Sequence, residues 1–138
     1  MSIAVAREND ADQVCDLDRQ VLGSASRRSW LREKIAARTC LAAWAGRLVG
    51  FAVSERSFFE QPFLELLIVA PAARRQGVAS SLVRRVEAAW APGKLFCSTN
   101  TSNAPMRHLL ESLGYVRSGV VENLDEGDPE LIYFKHLT

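Results

Sequence analysis

The stretch "LLIVAPAARRQGVASSLV", from Leu66 to Val83, decides how the sequence is interpreted. An apolar run typical of a buried strand stops at Pro71, two arginines and Gly77 follow, and an apolar pattern of helical period then begins. A helix N-terminus offers about four unpaired N–H groups and roughly half a positive charge. Gly77 and Ala79 are small enough for an anion to approach that backbone. The stretch therefore predicts a strand and a helix, joined by either an anion-binding turn or a solvated, helix-capping loop.

The composition excludes several other classes of protein. The 138 residues suit one domain, predicted over residues 1–138, and a hydrophobic share of 48% is enough for a packed core. A net charge of +1 argues against nucleic-acid binding driven by bulk charge. The N-terminus lacks a signal-peptide pattern, and no apolar stretch approaches the roughly 20 residues of a membrane span. We therefore expect a cytoplasmic protein whose partners include neither nucleic acid nor membrane.

The cysteines also agree with a cytoplasmic protein. Cys15, Cys40 and Cys97 are odd in number, and the sequence has neither a CxxC pair nor a His/Cys cluster. This pattern argues against a disulfide framework and against a zinc site. We expect three reduced, mostly buried thiols and no bound metal.

Hydrophobic periodicity predicts the element order β-α-α-β-β-β-α-β-α-β-β, a mixed α/β sheet with helices on both faces. The third and fourth helices are predicted over Gly77–Trp90 and from Ser102 or Asn103 to Gly114. "SFFEQPF", residues 57–63, is predicted as a loop with three exposed phenylalanines, Phe58, Phe59 and Phe63. Because GxGxxG and GxxxxGK[ST] are absent, neither dinucleotides nor nucleoside triphosphates are favoured as the anion.

Two motifs resemble the GCN5-related N-acetyltransferase (GNAT) family. "RRQGVA" is similar to its [Q/R]-x-x-G-x-[G/A] turn, with Arg74, Gly77 and Ala79 at the first, fourth and sixth positions. "NAPMRHLLESLGY" resembles its N-x-x-A-x-x-L-Y-x-x-x-G-F stretch through Asn103, Leu109, Gly114 and Tyr115. The element order also resembles the family over nearly the whole chain. The resemblance implies the acyl-CoA N-acyltransferase fold, with six to seven mostly antiparallel strands. It also implies that acetyl-CoA wedges between two splayed parallel strands, "LELLIVA" and "KLFCSTN".

The resemblance also implies which residues bind acetyl-CoA. Main-chain groups of Leu67, Ile68 and Val69 would pair with the pantetheine arm and polarise the acetyl carbonyl. Asn103 would bond the arm from the other side. The pyrophosphate would be held by the turn and the helix start, which comprise Arg74, Arg75, Gln76, Gly77, Val78, Ala79 and Ser80.

Glu65 is the candidate general base, because it is the only charge in an apolar strand and the family often has a glutamate at this position. The alternative is a strand residue that faces solvent or pairs with an arginine. The family tyrosine that protonates the thiolate is replaced by Leu110, which leaves Tyr115, Tyr133 and Cys97 as candidate substitutes. His108 is interpreted as a surface residue.

The acceptor is less well specified. "ENLDEGDPE" holds five of the sixteen carboxylates, Glu122, Asp125, Glu126, Asp128 and Glu130, and is either a soluble hairpin tip or an anionic lip for a cationic amine. We expect an N-acetyltransferase that acts on the primary amine of a small molecule or peptide by direct attack in a ternary complex. The alternatives are a non-catalytic acyl-CoA-binding or regulatory module and transfer of a longer acyl group. A monomer and a homodimer both remain open.

Overall fold

The computed structural model describes residues 1–138 and contains a seven-stranded sheet in the order β1-β2-β3-β4-β5-β7-β6. The strands are β1 (Ser2–Val5), β2 (Cys40–Trp44), β3 (Leu48–Phe58), β4 (Gln61–Val69), β5 (Gly93–Asn100), β6 (Val116–Val121) and β7 (Glu130–Leu137). The helices are α1 (Ala11–Leu22), α2 (Arg28–Ala36), α3 (Val78–Trp90) and α4 (Ala104–Ser112). β4 and β5 pair in parallel, whereas β1–β2, β2–β3, β5–β7 and β6–β7 pair antiparallel. The predicted element order and the mixed, mostly antiparallel sheet are confirmed.

The chain forms two compact units. Unit 1 comprises Met1–Ser54 and Leu66–Val86, and unit 2 comprises Glu55–Glu65 and Glu87–Thr138. Strands β3 and β4 therefore contribute residues to both units. That residues 1–138 act as one domain stays a prediction. No helix is both long enough and apolar enough to cross a membrane.

In unit 1, α3 packs closely against β3 at Gly50. A Cβ added there would lie 2.8 Å from the carbonyl oxygen of Ile68 and 3.0 Å from Cγ1 of Val78. Only a hydrogen fits in this space, so glycine allows the helix to approach the strand directly. The apolar residues of helical period in α3 are Val78, Leu82, Val83, Val86 and Trp90, and all are buried except Trp90, which is half-buried.

In unit 2, one face of β5 and β7 forms the core. Leu95, Cys97 and Tyr133 are each at most 1% exposed, and Leu110 of α4 is fully buried. β6 is the outer strand, and its pairing with β7 shifts register between Arg117 and Gly119. The shift is a β-bulge, which bends an outer strand and opposes unwanted pairing with other chains.

The loop predicted over residues 57–63 is wrong. β3 runs to Phe58 and β4 begins at Gln61, so only Phe59 and Glu60 form the turn. Both turn residues have positive φ, 49° and 65°. Only Phe59 is exposed, whereas Phe58 and Phe63 are half-buried because their rings stack with a centroid distance of 5.2 Å. The prediction failed because Phe-Glu is not one of the residue pairs that favour a two-residue hairpin turn.

The predicted burial of the thiols is confirmed, since all three cysteines are buried. Burial raises the pKa of the Cys97 thiol to about 12. The pKa of Cys40 is also raised to about 12, mainly by burial. These thiols stay protonated in the folded state at a pH where they ionise in the unfolded chain.

We therefore expect the free energy of unfolding to fall as pH rises above the ordinary thiol value of 9.0. Each such thiol contributes a slope of about 1.4 kcal/mol per pH unit, and the loss continues until the folded-state pKa is reached. Cys97→Ala should flatten the slope by about that amount, measured by urea unfolding at a series of pH values. Parallel curves for the variant and the natural chain would contradict this expectation.

Candidate functional site

The segment between β4 and α3 forms an exposed turn of unusual backbone conformation. Ala70 N donates to Val49 O at 2.8 Å, which ties the end of β4 to β3. A short 3-10 turn follows, and then Arg75 and Gly77 adopt positive φ of 61° and 82°. Backbone that alternates left-handed residues with ordinary ones directs successive N–H groups toward a common point and makes an anion-binding concavity.

The N–H groups at the start of α3 face this turn without helical acceptors. The first hydrogen bond of α3 runs from Ser81 N to Gly77 O, at 3.0 Å. The amides that precede Ser81 have no acceptor within the helix and are available to a ligand. A Cβ added at Gly77 would have no atom within 4 Å, so the space over the turn is open. The Arg74 and Arg75 side chains are exposed beside it. All seven residues predicted to hold the pyrophosphate, from Arg74 to Ser80, lie in this one electropositive segment.

The predicted pantetheine-binding groups lie in the second half of β4. The ladder between β4 and β5 consists of two pairs, Phe63 with Phe96 and Leu64 with Cys97. β4 continues to Val69, and the main-chain groups of Leu67–Val69 lie in this continuation.

Glu65 follows the last of those pairs directly. Its side chain is half-buried and its Oε1 atom is inaccessible to solvent. Glu65 is therefore not a strand residue that simply faces solvent. Because alternate residues of a strand share a face, Glu65 lies on the face of β4 that carries Phe63. It also stands two residues before Leu67 on the same strand.

Asn103 has a structural role at the start of α4, which the sequence predicted at either Ser102 or Asn103. It caps α4, and its Oδ1 accepts a hydrogen bond from Met106 N at 3.2 Å. The cap fixes the orientation of the side-chain amide. Its Nδ2 is then the group available to donate to a ligand.

Tyr115 is engaged elsewhere and is a poor candidate for the missing acid. Its hydroxyl donates to Glu87 Oε2 at 2.7 Å, and Lys135 Nζ lies 3.2 Å from the same oxygen. Burial, followed by the hydrogen bond to Glu87 and the charge of Glu87, raises the pKa of Tyr115. The hydroxyl therefore holds its proton within a structural cluster.

The two other candidates are similarly occupied. Tyr133 is fully buried, and its hydroxyl donates to Glu111 Oε2 at 3.1 Å. Cys97 is 1% exposed and faces the core of unit 2. His108 is exposed, as predicted, and Leu110 is a core residue. Neither Tyr133 nor Cys97 is therefore placed as an exposed proton donor.

The acidic segment, residues 122–130, forms more hydrogen bonds with the rest of the fold than its composition suggests. Asp125 Oδ2 accepts from Asn100 Nδ2 at 2.8 Å, and the Asp128 carboxylate accepts from both N and Oγ of Ser102 at 3.0 and 2.6 Å. These bonds join the β6–β7 connection to the last residue of β5 and to the segment that follows it. Asp125 is exposed, as expected of a soluble hairpin tip, but it and Asp128 also have a structural role. Glu122 and Glu126 are exposed.

Replacing Asp128 with alanine should therefore destabilise the fold by about 1.5–3 kcal/mol, the value of hydrogen bonds to a charged group. The measurement is the midpoint of urea unfolding. Glu126→Ala is the matched control, since Glu126 is exposed in the same turn and should change stability by less than about 0.5 kcal/mol. Equal effects of the two variants would show that the Ser102 bonds contribute nothing.

Unit 1 also contains an open cleft of about 510 Å³ that sequence analysis did not predict. One helical face of α1 lines it with Gln13, Leu17 and Gln20, and Arg47 of the β2–β3 turn also lines it. Ala70, Pro71 and Ala72 also line the cleft, which therefore borders the segment between β4 and α3. Its volume is within the range of about 300–1,000 Å³ found for small-molecule sites.

Comparison with known proteins agrees with this geometry. The family model described as the acetyltransferase (GNAT) family matches residues 7–115. A GNAT-family acetyltransferase from Bacillus cereus is 37% identical, with a TM-score of 0.94 over 99% of this chain and 97% of its own. A search of curated protein sequences gives no significant match.

More distant structures share the fold. An aminoglycoside 6'-N-acetyltransferase complexed with coenzyme A is 19% identical, with a TM-score of 0.85 over 100% of this chain and 98% of its own. The ribosomal-protein-S18-alanine N-acetyltransferase of Escherichia coli is 17% identical, with a TM-score of 0.83 over 99% and 94% of the two chains.

Proposed function

Because the chain belongs to the GNAT acetyltransferase family, we propose that it moves the acetyl group of acetyl-CoA to a primary amine of a small molecule or peptide. The observation that carries this proposal is the turn before α3, with positive φ at Arg75 and Gly77 and open space above Gly77. Such a turn suits a diphosphate, which acetyl-CoA contains. The amine attacks the thioester directly while both substrates are bound.

In this proposal, the protein holds acetyl-CoA largely through backbone. The turn from Arg74 to Ser80 binds the pyrophosphate, and the main chain of Leu67–Val69 pairs with the pantetheine arm like an added strand. Nδ2 of Asn103 also donates to the arm. N–H groups of the same β4 segment stabilise the oxyanion that develops on the acetyl carbonyl.

Glu65 acts as the general base. A lysine-like amine is about one part in a thousand neutral at physiological pH, a deficit of roughly 4 kcal/mol. Glu65 removes the proton, and its partial burial and its place two residues from Leu67 on β4 support that role. The thiolate leaves without a tyrosine acid, which its ordinary thiol pKa of about 8.5 permits. Turnover should accordingly be slower than in relatives that have the acid.

The related structures support an amine as the acceptor. One is an N-acetyltransferase for aminoglycosides and another is an N-acetyltransferase for an alanine of a ribosomal protein. Both names specify transfer to nitrogen. We place the reaction in the cytoplasm, where the buried thiols would stay reduced.

The test is thiol release from acetyl-CoA in the presence of a panel of small and peptide amines, with the acetylated product identified by mass spectrometry. Amine-dependent release and an N-acetylated product support the proposal. Binding of acetyl-CoA without product for any amine would instead indicate the alternative, a non-catalytic acyl-CoA-binding or regulatory module. Release that requires a longer acyl-CoA would reassign the donor.

We also propose that Glu122 and Glu126 attract a cationic acceptor, since both are exposed in the acidic turn. Neutralising both to glutamine should raise the acceptor KM at low ionic strength and leave kcat unchanged. The effect should fade at physiological salt, where charges are screened beyond about 8 Å. An unchanged KM for the best cationic substrate at low salt would leave the turn with only its structural role.

A further inference from the structure

Five of the six phenylalanines form a continuous aromatic ladder across four strands of unit 2. The ladder consists of Phe58, Phe59, Phe63, Phe96 and Phe134, and it ends at His136. Neighbouring ring centroids are 5.0 to 5.7 Å apart. These are the separations of rings in stacked or edge-to-face contact.

The ladder is not part of the hydrophobic core. The side chains on the opposite face of the same strands, such as Leu95 and Tyr133, are fully buried. The ladder rings of β4, β5 and β7 remain half-exposed, and Phe59 is 87% exposed. The sixth phenylalanine, Phe51, shows the contrast, because it is a core residue with no exposed surface. A row of stacked, accessible rings is an apolar surface that suits a ligand.

The turn that presents Phe59 has a backbone conformation that is unfavourable for its residues. Phe59 and Glu60 both adopt positive φ, a conformation in which bulky side chains are rare. Asn-Gly would form such a turn without strain. Phe59 nevertheless lies edge-on to Phe58, with its ring in solvent. Strain that holds an exposed aromatic ring in place is typical of a binding site.

Carboxylates stand at one end of the ladder. Glu65 is two residues beyond Phe63 on β4, and Ser98 is two residues beyond Phe96 on β5, on the same faces as those rings. Ser98 Oγ donates to Glu130 Oε2 at 2.7 Å, which fixes that carboxylate beside the strand. Two residues of a strand span about 7 Å, so an acidic end adjoins an aromatic surface.

We propose that this surface binds the acceptor and selects a primary amine joined to an aromatic ring by a short alkyl chain. The inference rests on the proposed function. Glu130 holds the ammonium, and Glu65 takes the proton before the nitrogen attacks. The aromatic part of the acceptor lies on the phenylalanine ladder, with Phe59 as its outer anchor. A cation without an apolar body would use the acidic end but gain nothing from the rings.

The test compares phenethylamine with ethylamine, which has the same ammonium and lacks the ring. We expect kcat/KM for phenethylamine to exceed that for ethylamine by about 10- to 100-fold, the value of burying one phenyl group. Phe59→Asn should lower kcat/KM for phenethylamine about tenfold and leave ethylamine unchanged. The same variant should be more stable, because asparagine accepts positive φ. Leu22→Ala, which trims another exposed apolar residue, is the control and should change neither value.

Binding is also measured without turnover, by titrating phenethylamine into the complex with CoA, which carries no acetyl group to transfer. Phe59→Asn and Glu130→Gln should each raise the Kd about tenfold. Only Glu130→Gln should also weaken the binding of ethylamine.

Unchanged phenethylamine binding in the Phe59 variant, with transfer to other amines intact, would overturn this inference and leave the proposed function standing. Binding without any transfer would overturn the proposed function while supporting the site. A dimer that Phe59→Asn converts to a monomer in size-exclusion chromatography would show that the ladder is a subunit interface, and would overturn the inference.

Discussion

Replacing Gly77 with glutamate is expected to lower the affinity for acetyl-CoA at least about 100-fold, which corresponds to roughly 2.7 kcal/mol. The added side chain would enter the open space above the turn and place a carboxylate where the diphosphate binds. Like charges brought together in this way cost several kcal/mol. The measurement is titration calorimetry with acetyl-CoA.

Gly23→Glu is a matched control for the strain in that variant. Gly23 has φ of 84° against 82° for Gly77, and a Cβ at either position would have no atom within 4 Å. The two variants therefore share the unfavourable backbone and the added charge, but only one is in the turn before α3. The Gly23 variant should keep its affinity within about twofold. Equal losses would attribute the effect to strain, and unchanged affinity in the Gly77 variant would remove the turn from the binding site.

Glu65→Gln is expected to lower kcat by about 10²- to 10⁴-fold, the usual contribution of a positioned base, with little change in the KM for acetyl-CoA. The glutamine keeps the shape of the side chain but cannot accept the proton. The deficit should shrink as pH rises, because the neutral fraction of an amine of pKa about 10.4 grows about tenfold per pH unit. Steady-state rates across a pH series measure both effects.

Glu33→Gln serves as the control for that variant, since it removes an exposed carboxylate from α2 and should leave the rate unchanged. Calorimetry should also find unaltered acetyl-CoA binding in Glu65→Gln. If this variant turns over at the natural rate near neutral pH, Glu65 is not the base. The alternative role of Glu65 as a structural strand residue would then account for its position.

The order of elements could be predicted from sequence because each element carries its own periodic pattern. The α3 stripe is an example, as is Asn103, whose side chain caps the helix that begins at the next residue. The turn between β4 and α3 was predictable for the same reason, since all its residues are close in sequence. Local signals of this kind survive without knowledge of tertiary structure.

Features built from distant residues could not be predicted. Asp128 bonds to Ser102 across 26 positions and Tyr115 bonds to Glu87 across 28. The aromatic ladder depends on strand register, which brings Phe63, Phe96 and Phe134 side by side. The prediction at Phe59 and Glu60 failed for a different reason, because the backbone of this turn departs from the conformation that its own residues prefer. Such departures are expected where function rather than stability selects the residue.

The missing side chain of Gly50 has a consequence for how this protein can change over time. Val78, which would contact the first carbon added at Gly50, directly follows Gly77 in the chain. A single methyl group on β3 would therefore push the start of α3 outward and carry the turn with it. Under the proposed function, affinity for acetyl-CoA therefore depends on a position outside the binding turn, and selection for that affinity would also retain the glycine at position 50.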